Sequence, residues 1–212
     1  MDINTKIAEI TACLTWPIVY EQGDRDLEIT CDPWSRTHTI RMPTAGADWR
    51  DIEYLHELAH ATLAERHHLL ETAYFARGWD RQDLEALTNP VRVASDWFAD
   101  DLLMQWVPEA ESAEILEHAG YGRQYAADAE ADPMTKYGLG LAMAQAVKYL
   151  GESLRDVPSV YRPVVDILLA TDPSKPSIEA KRKLINQLAA LTCRYRVHLA
   201  KEDGVDVWRI KK

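Results

Sequence analysis

The stretch EYLHELAHATLAERHHLL, residues 53–70, decides how this chain is read. His56 and His60 stand four apart, with Glu57 directly after the first. On an α-helix, positions i and i+4 lie on one face, so both imidazoles reach a single point in space. Glu57 is rotated by about 100° from His56, to the edge of that face, where it reaches a metal-bound water rather than the metal. That is the physical content of the H-E-x-x-H spacing: two zinc ligands, His56 and His60, and a general base, Glu57. Leu58 and Ala59 between the histidines let the opposite face pack into a core.

The flanking sequence supports a helix at this position. Asp48 is a good N-cap and Asp51 suits the first turn, so the helix is expected over about 49–76, ending near Gly78. Upstream, residues 3, 7, 10 and 14 are apolar at helical spacing. WPIVYEQ (16–22) and DLEITCD (26–32) are β-branched and alternating, and the turn composition GDRD between them predicts a hairpin. THTIRMP (37–43) is a third strand, giving a small sheet of about three strands. Downstream, DRQDLEAL (80–87) predicts a short helix. Asn89 and Pro90 then serve as N-cap and first residue of a helix running to about 106. Further helices are expected over 108–120, 134–154, with the small residues Gly138, Ala142 and Ala146 on one face, and 161–170. Ser177 caps a last helix from 178 to about 201, followed by VDVWRI, a late strand or an ordered tail. The composition shift at 126–133 marks a seam between a core, 1–125, and a C-terminal extension, 126–212.

The totals narrow the function classes. A chain of 212 residues buries roughly 70% of the surface its unfolded form exposes and needs no disulfides to hold a core. Cys13, Cys31 and Cys193 form no CxxC pair and read as reduced thiols. The formal net charge of −10 argues against a direct nucleic-acid or anionic-membrane surface. KRK at 181–183 reads as a solvated helix face. No apolar run reaches the roughly 18 residues of a membrane span, and the N-terminus lacks a signal-peptide pattern. A cytoplasmic protein is the expectation.

Two histidines leave a zinc site short of a third protein ligand. His67 and His68 follow His60 on what reads as a continuous helix. There His67 lies about 10 Å further along the axis, so both read as exposed histidines at the helix end. The helix NPVRVASDWFADDLLMQW supplies Asp96, Asp100 and Asp101. Asp96 and Asp100 share one face, so one of them can bind zinc while the other orients a ligating histidine. Asp101 reads as solvated.

The pairing of HELAH with ASDWFADDLLM resembles the ImmA/IrrE-type metallopeptidases of bacteria, phages and mobile elements. Asp96, Phe98, Ala99, Leu102, Leu103 and Met104 match the second motif of that family, and the resemblance covers roughly residues 30–108. It implies a small gluzincin-like zincin fold, a Zn²⁺ ion, Glu57 as general base, and cleavage of a regulatory or repressor protein. Arg92 stands where the motif carries its ligating glutamate, which passes the third ligand to Asp96, one turn on, with Asp100 in support or as alternative ligand. The expected protein is an α+β, zincin-like metallopeptidase with a mainly helical C-terminal part. Its partner is a protein or peptide substrate, laid alongside the THTIRMP strand. The alternative is an inactive zincin-fold interaction module, and a third option is a metal-dependent hydrolase acting on a non-peptide bond.

Overall fold

The computed structural model describes residues 2–23, 27–44, 49–71, 74–127 and 132–212. The expected cap Asp48, the turn at 24–26 and the centre of the expected seam, 128–131, lie outside the described residues. The described chain is mixed α+β, with helices forming most of it and two small sheets. None of its helices is long and apolar enough to cross a membrane.

Helix α1 (Ile3–Cys13) is capped by Asp2, whose carboxylate accepts the Thr5 amide. Its apolar stripe, Ile3, Ile7, Ile10 and Leu14, packs against the cluster beneath the first sheet. That sheet contains β1 (Ile18–Gln22), β2 (Glu28–Asp32) and β3 (Thr37–Met42) in the order β1-β3-β2. The hairpin therefore joins β2 to β3, and β1 pairs with β3 in parallel, not with β2 as its neighbouring turn suggested. The deciding turn is DPWSR, where Asp32 accepts from the Trp34 amide and the Ser35 hydroxyl and Arg36 adopts φ 53. Asp-Pro opens a turn, and the Asp carboxylate closes it. The central strand β3 also holds Arg41 between Glu21 on β1 and Glu28 on β2.

Helix α2 (Asp51–Arg66) is shorter than its apolar run suggests. At His67 the backbone becomes extended (φ −167), and a short 3₁₀ turn, His68–Leu70, tucks Leu69 and Leu70 into the core. His67 and His68 are half-buried, not exposed. Their rings meet the carboxylate and the backbone carbonyl of Asp206 at 3.2 and 2.7 Å. Helix α3 (Arg81–Trp106) runs straight through Pro90, so the two expected helices are one, capped by Asp80. An interior proline costs a helix about 3 kcal/mol. Burial of Leu87 and Val91 on either side of it offsets that cost.

Helices α4 (Pro108–Gln124), α5 (Pro133–Tyr149), α6 (Arg162–Leu169) and α7 (Ile178–Ala189) follow. Ser177 caps α7 as its position suggests. Helix α7 ends at Ala189, well before the expected limit of about 201, because the chain turns into a hairpin, β4 (Arg196–Glu202) and β5 (Val205–Lys211). Asp203 (φ 50) and Gly204 (φ 82) form its two-residue turn, the left-handed pair that hairpins favour. Trp208 of β5 exchanges backbone hydrogen bonds with Tyr74 and Ala76 and is fully buried. One hydrophobic cluster joins Ala59 and Leu63 of α2 and the apolar face of α3 to Tyr137, Val164, Leu184 and Trp208.

Helices α5 and α6 approach closely because α5 carries glycine at the crossing. A Cβ on Gly140 would lie 2.8 Å from Val164 Cγ1. Gly-to-Ala in an exposed helix gains about 1 kcal/mol. Here the sign reverses: Gly140→Ala is expected to lose about 1–3 kcal/mol in urea unfolding. Val164→Ala relieves the clash, so a double-mutant cycle should show a favourable coupling above about 0.5 kcal/mol. Strict additivity would show that the crossing is not tight.

Candidate metal site

Helices α2 and α3 run antiparallel, which sets His56 opposite Asp100 and His60 opposite Asp96. The Nε2 atoms of His56 and His60 are 3.0 Å apart, and Asp96 Oδ1 lies 4.0 Å from the first and 3.5 Å from the second. Three ligand atoms at metal–ligand distances of 2.0–2.1 Å around a tetrahedral centre are separated by roughly 3.3 Å. The observed triangle brackets that edge. Among the described residues this trio alone places three His, Cys, Asp or Glu ligand atoms within 4.8 Å of one another.

The surrounding hydrogen bonds suit a ligand set. Asp100 Oδ1 lies 2.9 Å from His56 Nδ1, which leaves Nε2 free to face the triangle, and the Gln145 side-chain amide of α5 donates to Asp100 Oδ2. A carboxylate behind a ligating imidazole holds its ring orientation and raises its basicity. His60 Nδ1 is buried without a hydrogen-bond partner among the described residues. The donor set of two imidazoles and one carboxylate matches what zinc takes in three-ligand sites.

The electrostatics favour positive charge here. Burial disfavours a charged His56, but the hydrogen bond and field of Asp100, aided by Glu57 and Asp96, outweigh it and push its pKa up to about 10. Burial likewise works against the Asp96 carboxylate. The His60 contact, the His56 field and Arg92 prevail, and hold it below the usual carboxylate range. Without a metal, then, His56 carries the cationic charge that an ion would replace.

Glu57 lines the same cavity as His56, His60 and Asp96, and its Oε2 accepts the Ile29 amide of β2 at 2.9 Å. Strand β2 is an outer strand and faces the site. Strand β3, the THTIRMP segment, is covered on both sides and has no free edge for a peptide, so the edge beside the site belongs to β2. Arg92 lines two cavities that meet at His56 and Asp96. One of about 850 Å³ extends towards β2, and one of about 440 Å³ lies among α2, α4 and α5. The small face of α5 makes room for Arg92, whose Nη2 would lie 3.7 Å from a Cβ on Gly138.

Asp100 and Asp101 are both buried. Asp101 is not solvated but accepts from the Tyr149 hydroxyl and the Gln105 amide, each at 2.7 Å. Three further groups escaped the sequence reading. Lys181, expected in a solvated basic face, is fully buried, and its amine reaches Ser95 Oγ at 2.7 Å and the Leu70 carbonyl at 3.1 Å. Its spacing to Leu184, Ile185 and Leu188 put it on the apolar stripe, which was the available signal. Glu111 shares a buried stripe with Ile115 and Ala119 in the same way. Glu71 carries no periodic signal at all.

A second constellation is inert. His38 bridges Cys31 Sγ at 3.0 Å and Glu65 Oε1 at 3.2 Å. The thiol is fully buried, and burial plus the fields of Glu71, Glu57 and Glu65 hold it protonated. A reactive cysteine requires a lowered pKa and access. Comparison with family models, curated proteins and solved structures finds no match to this chain.

Burial, then the charge of Asp100, raises Glu111 from its ordinary 4.5 to about 8. The folded state therefore binds more protons than the unfolded state between these values, and stability falls as pH rises through that window. Glu111→Gln is expected to flatten this slope in metal-free protein. Between pH 5 and pH 8 the wild type should lose more than about 1 kcal/mol relative to the variant, a tenfold change in proton affinity being worth about 1.4 kcal/mol. Parallel melting curves for the two proteins across that range would refute the assignment.

Proposed function

We propose that this protein is a zinc-dependent peptidase with a zincin-like core. The observation that carries the reading is the convergence of His56, His60 and Asp96 on one point, with Glu57 lining the same cavity. His56, His60 and Asp96 hold the ion, and Asp100 orients His56. Arg92, standing where the resembled family carries its ligand, leaves that task to Asp96. A zinc ion held there lowers the pKa of its water and polarises a carbonyl.

The rest of the chemistry belongs to the side chains. Glu57 has one oxygen engaged by the Ile29 amide and a second free to accept a proton from the attacking water. The water oxygen adds to the carbonyl carbon. As the carbon–nitrogen bond breaks, Glu57 returns the proton to the departing amine, leaving a carboxylic acid and an amine. An extended peptide lies along the outer edge of β2, adding main-chain hydrogen bonds to edge groups other than the Ile29 amide and the Cys31 carbonyl, which Glu57 and Tyr74 already hold. The substrate is a protein or peptide segment able to adopt that conformation.

Zinc stoichiometry near one per chain is expected after purification without added metal, measured by plasma mass spectrometry. A value near zero, with no binding on titration, sinks the proposal. Asp100→Ala should weaken zinc by roughly 10–100-fold, the usual loss for an orienting carboxylate. Asp96→Ala should weaken it further still, and the reverse order would transfer the ligand role to Asp100. Glu57→Gln should retain zinc and abolish hydrolysis of an unstructured protein such as casein.

A further inference from the structure

The larger cavity has an unexplained floor. Glu71, from the turn after α2, lines it together with Glu57, His60 and Asp96, yet is only 6% exposed. Its Oε2 is buried and has no hydrogen-bond partner among the described residues. A buried carboxyl group without a partner is costly, and such groups call for an explanation. The field of Lys181 reaches Glu71, but its amine bonds Ser95 Oγ and the Leu70 carbonyl and leaves Glu71 Oε2 without a hydrogen bond. The walls nearer Glu71 are apolar, formed by Leu27, Phe75, Leu84 and Val91. The acids gather at the same end, since the fields of Glu57 and Glu28 both act on Glu71. Arg92, which also lines this cavity, stands instead by Asp96, whose charge it stabilises.

We propose that this recess is a side-chain subsite for a basic residue, lysine or arginine, with Glu71 as the group that receives the cationic head. Apolar walls suit the methylene stem of such a side chain, and a carboxyl group at the end suits its charge. Desolvation raises the Glu71 pKa well above the ordinary value; the field of Lys181 opposes it and those of Glu57 and Glu28 add to it, so an arriving cation meets a group that ionises to pair with it. The recess belongs to a cavity of about 850 Å³, which has room for a long side chain. Glu71 is thus a specificity-determining residue. The choice of peptide as occupant rests on the peptidase reading, whereas cation binding by the recess does not.

The experiment measures binding as well as cleavage. Blocked pentapeptides acetyl-Ala-Ala-Xaa-Ala-Ala-amide, with Xaa lysine, arginine or norleucine, are titrated by calorimetry into the zinc-loaded full chain carrying Glu57→Gln, which prevents turnover. The lysine and arginine peptides should bind at least tenfold more tightly than the norleucine peptide. Adding Glu71→Gln should abolish that ratio, and Glu71→Asp should retain part of it while controlling for folding. Equal binding of all three peptides overturns the proposal, as does an unchanged ratio in the folded Glu71→Gln protein. A preference that follows an unblocked amino terminus instead of the central side chain also overturns it. Hydrolysis by protein with Glu57 intact is scored separately. A lysine preference that depends on Glu71, with no cleavage of any peptide, supports the subsite and counts against the peptidase reading.

Discussion

Leu55 and Leu58 bury one flank of α2 against the three-stranded sheet, and Ala59 and Leu63 bury the other in the larger cluster with α3. The helix can neither rotate nor slide without opening a void, and interiors packed at crystal-like density resist that. His56, Glu57 and His60 occupy the strip left between the two clusters. Their directions are therefore set by apolar packing on both sides, before any polar contact is made. The partner strip on α3 is set in the same way by Trp97 and Phe98, both fully or almost fully buried. The precision of the triangle follows from side chains that never touch it.

Polar contacts then refine what packing places. Asp100 and Gln145 lock one imidazole, Ile29 holds one oxygen of Glu57, and Lys181 ties α7 to both the end of α2 and the helix that carries Asp96. These ties come from four separate parts of the chain. The C-terminal hairpin adds another through Asp206, which receives His67 and His68. The pair of histidines that read as exposed at the helix end serves as the bolt between α2 and that hairpin.

Legibility in the sequence tracked how local each determinant was. The i, i+4 spacing of His56 and His60, the matching spacing of Asp96 and Asp100, the cap at Ser177 and the three-strand count are local, and the structure contains each of them. The pairing order of the sheet was not legible from strand composition, because the DPWSR turn competed with GDRD and carried the stronger closing group, Asp32. Pro90 misled for a related reason. Its local preference for a first turn yields to the burial of Leu87 and Val91, which are tertiary contacts. The Asp203–Gly204 turn was in fact a strong local signal, and the amphipathic run before it masked it. Glu71 had no signature, since only the assembled cavity reveals that it lacks a partner.

The contact between Glu57 and Ile29 has a consequence beyond chemistry. Strand β2 is an open edge, and open edges recruit other strands, including those of a second molecule. A carboxylate seated on an edge amide occupies one of the donors such a strand would seek. The same side chain thus guards the sheet against self-association whenever no guest strand is present. Truncating it to alanine would unmask that amide and mix loss of chemistry with gain of stickiness. Glutamine, whose amide oxygen still accepts the Ile29 N–H, separates the two.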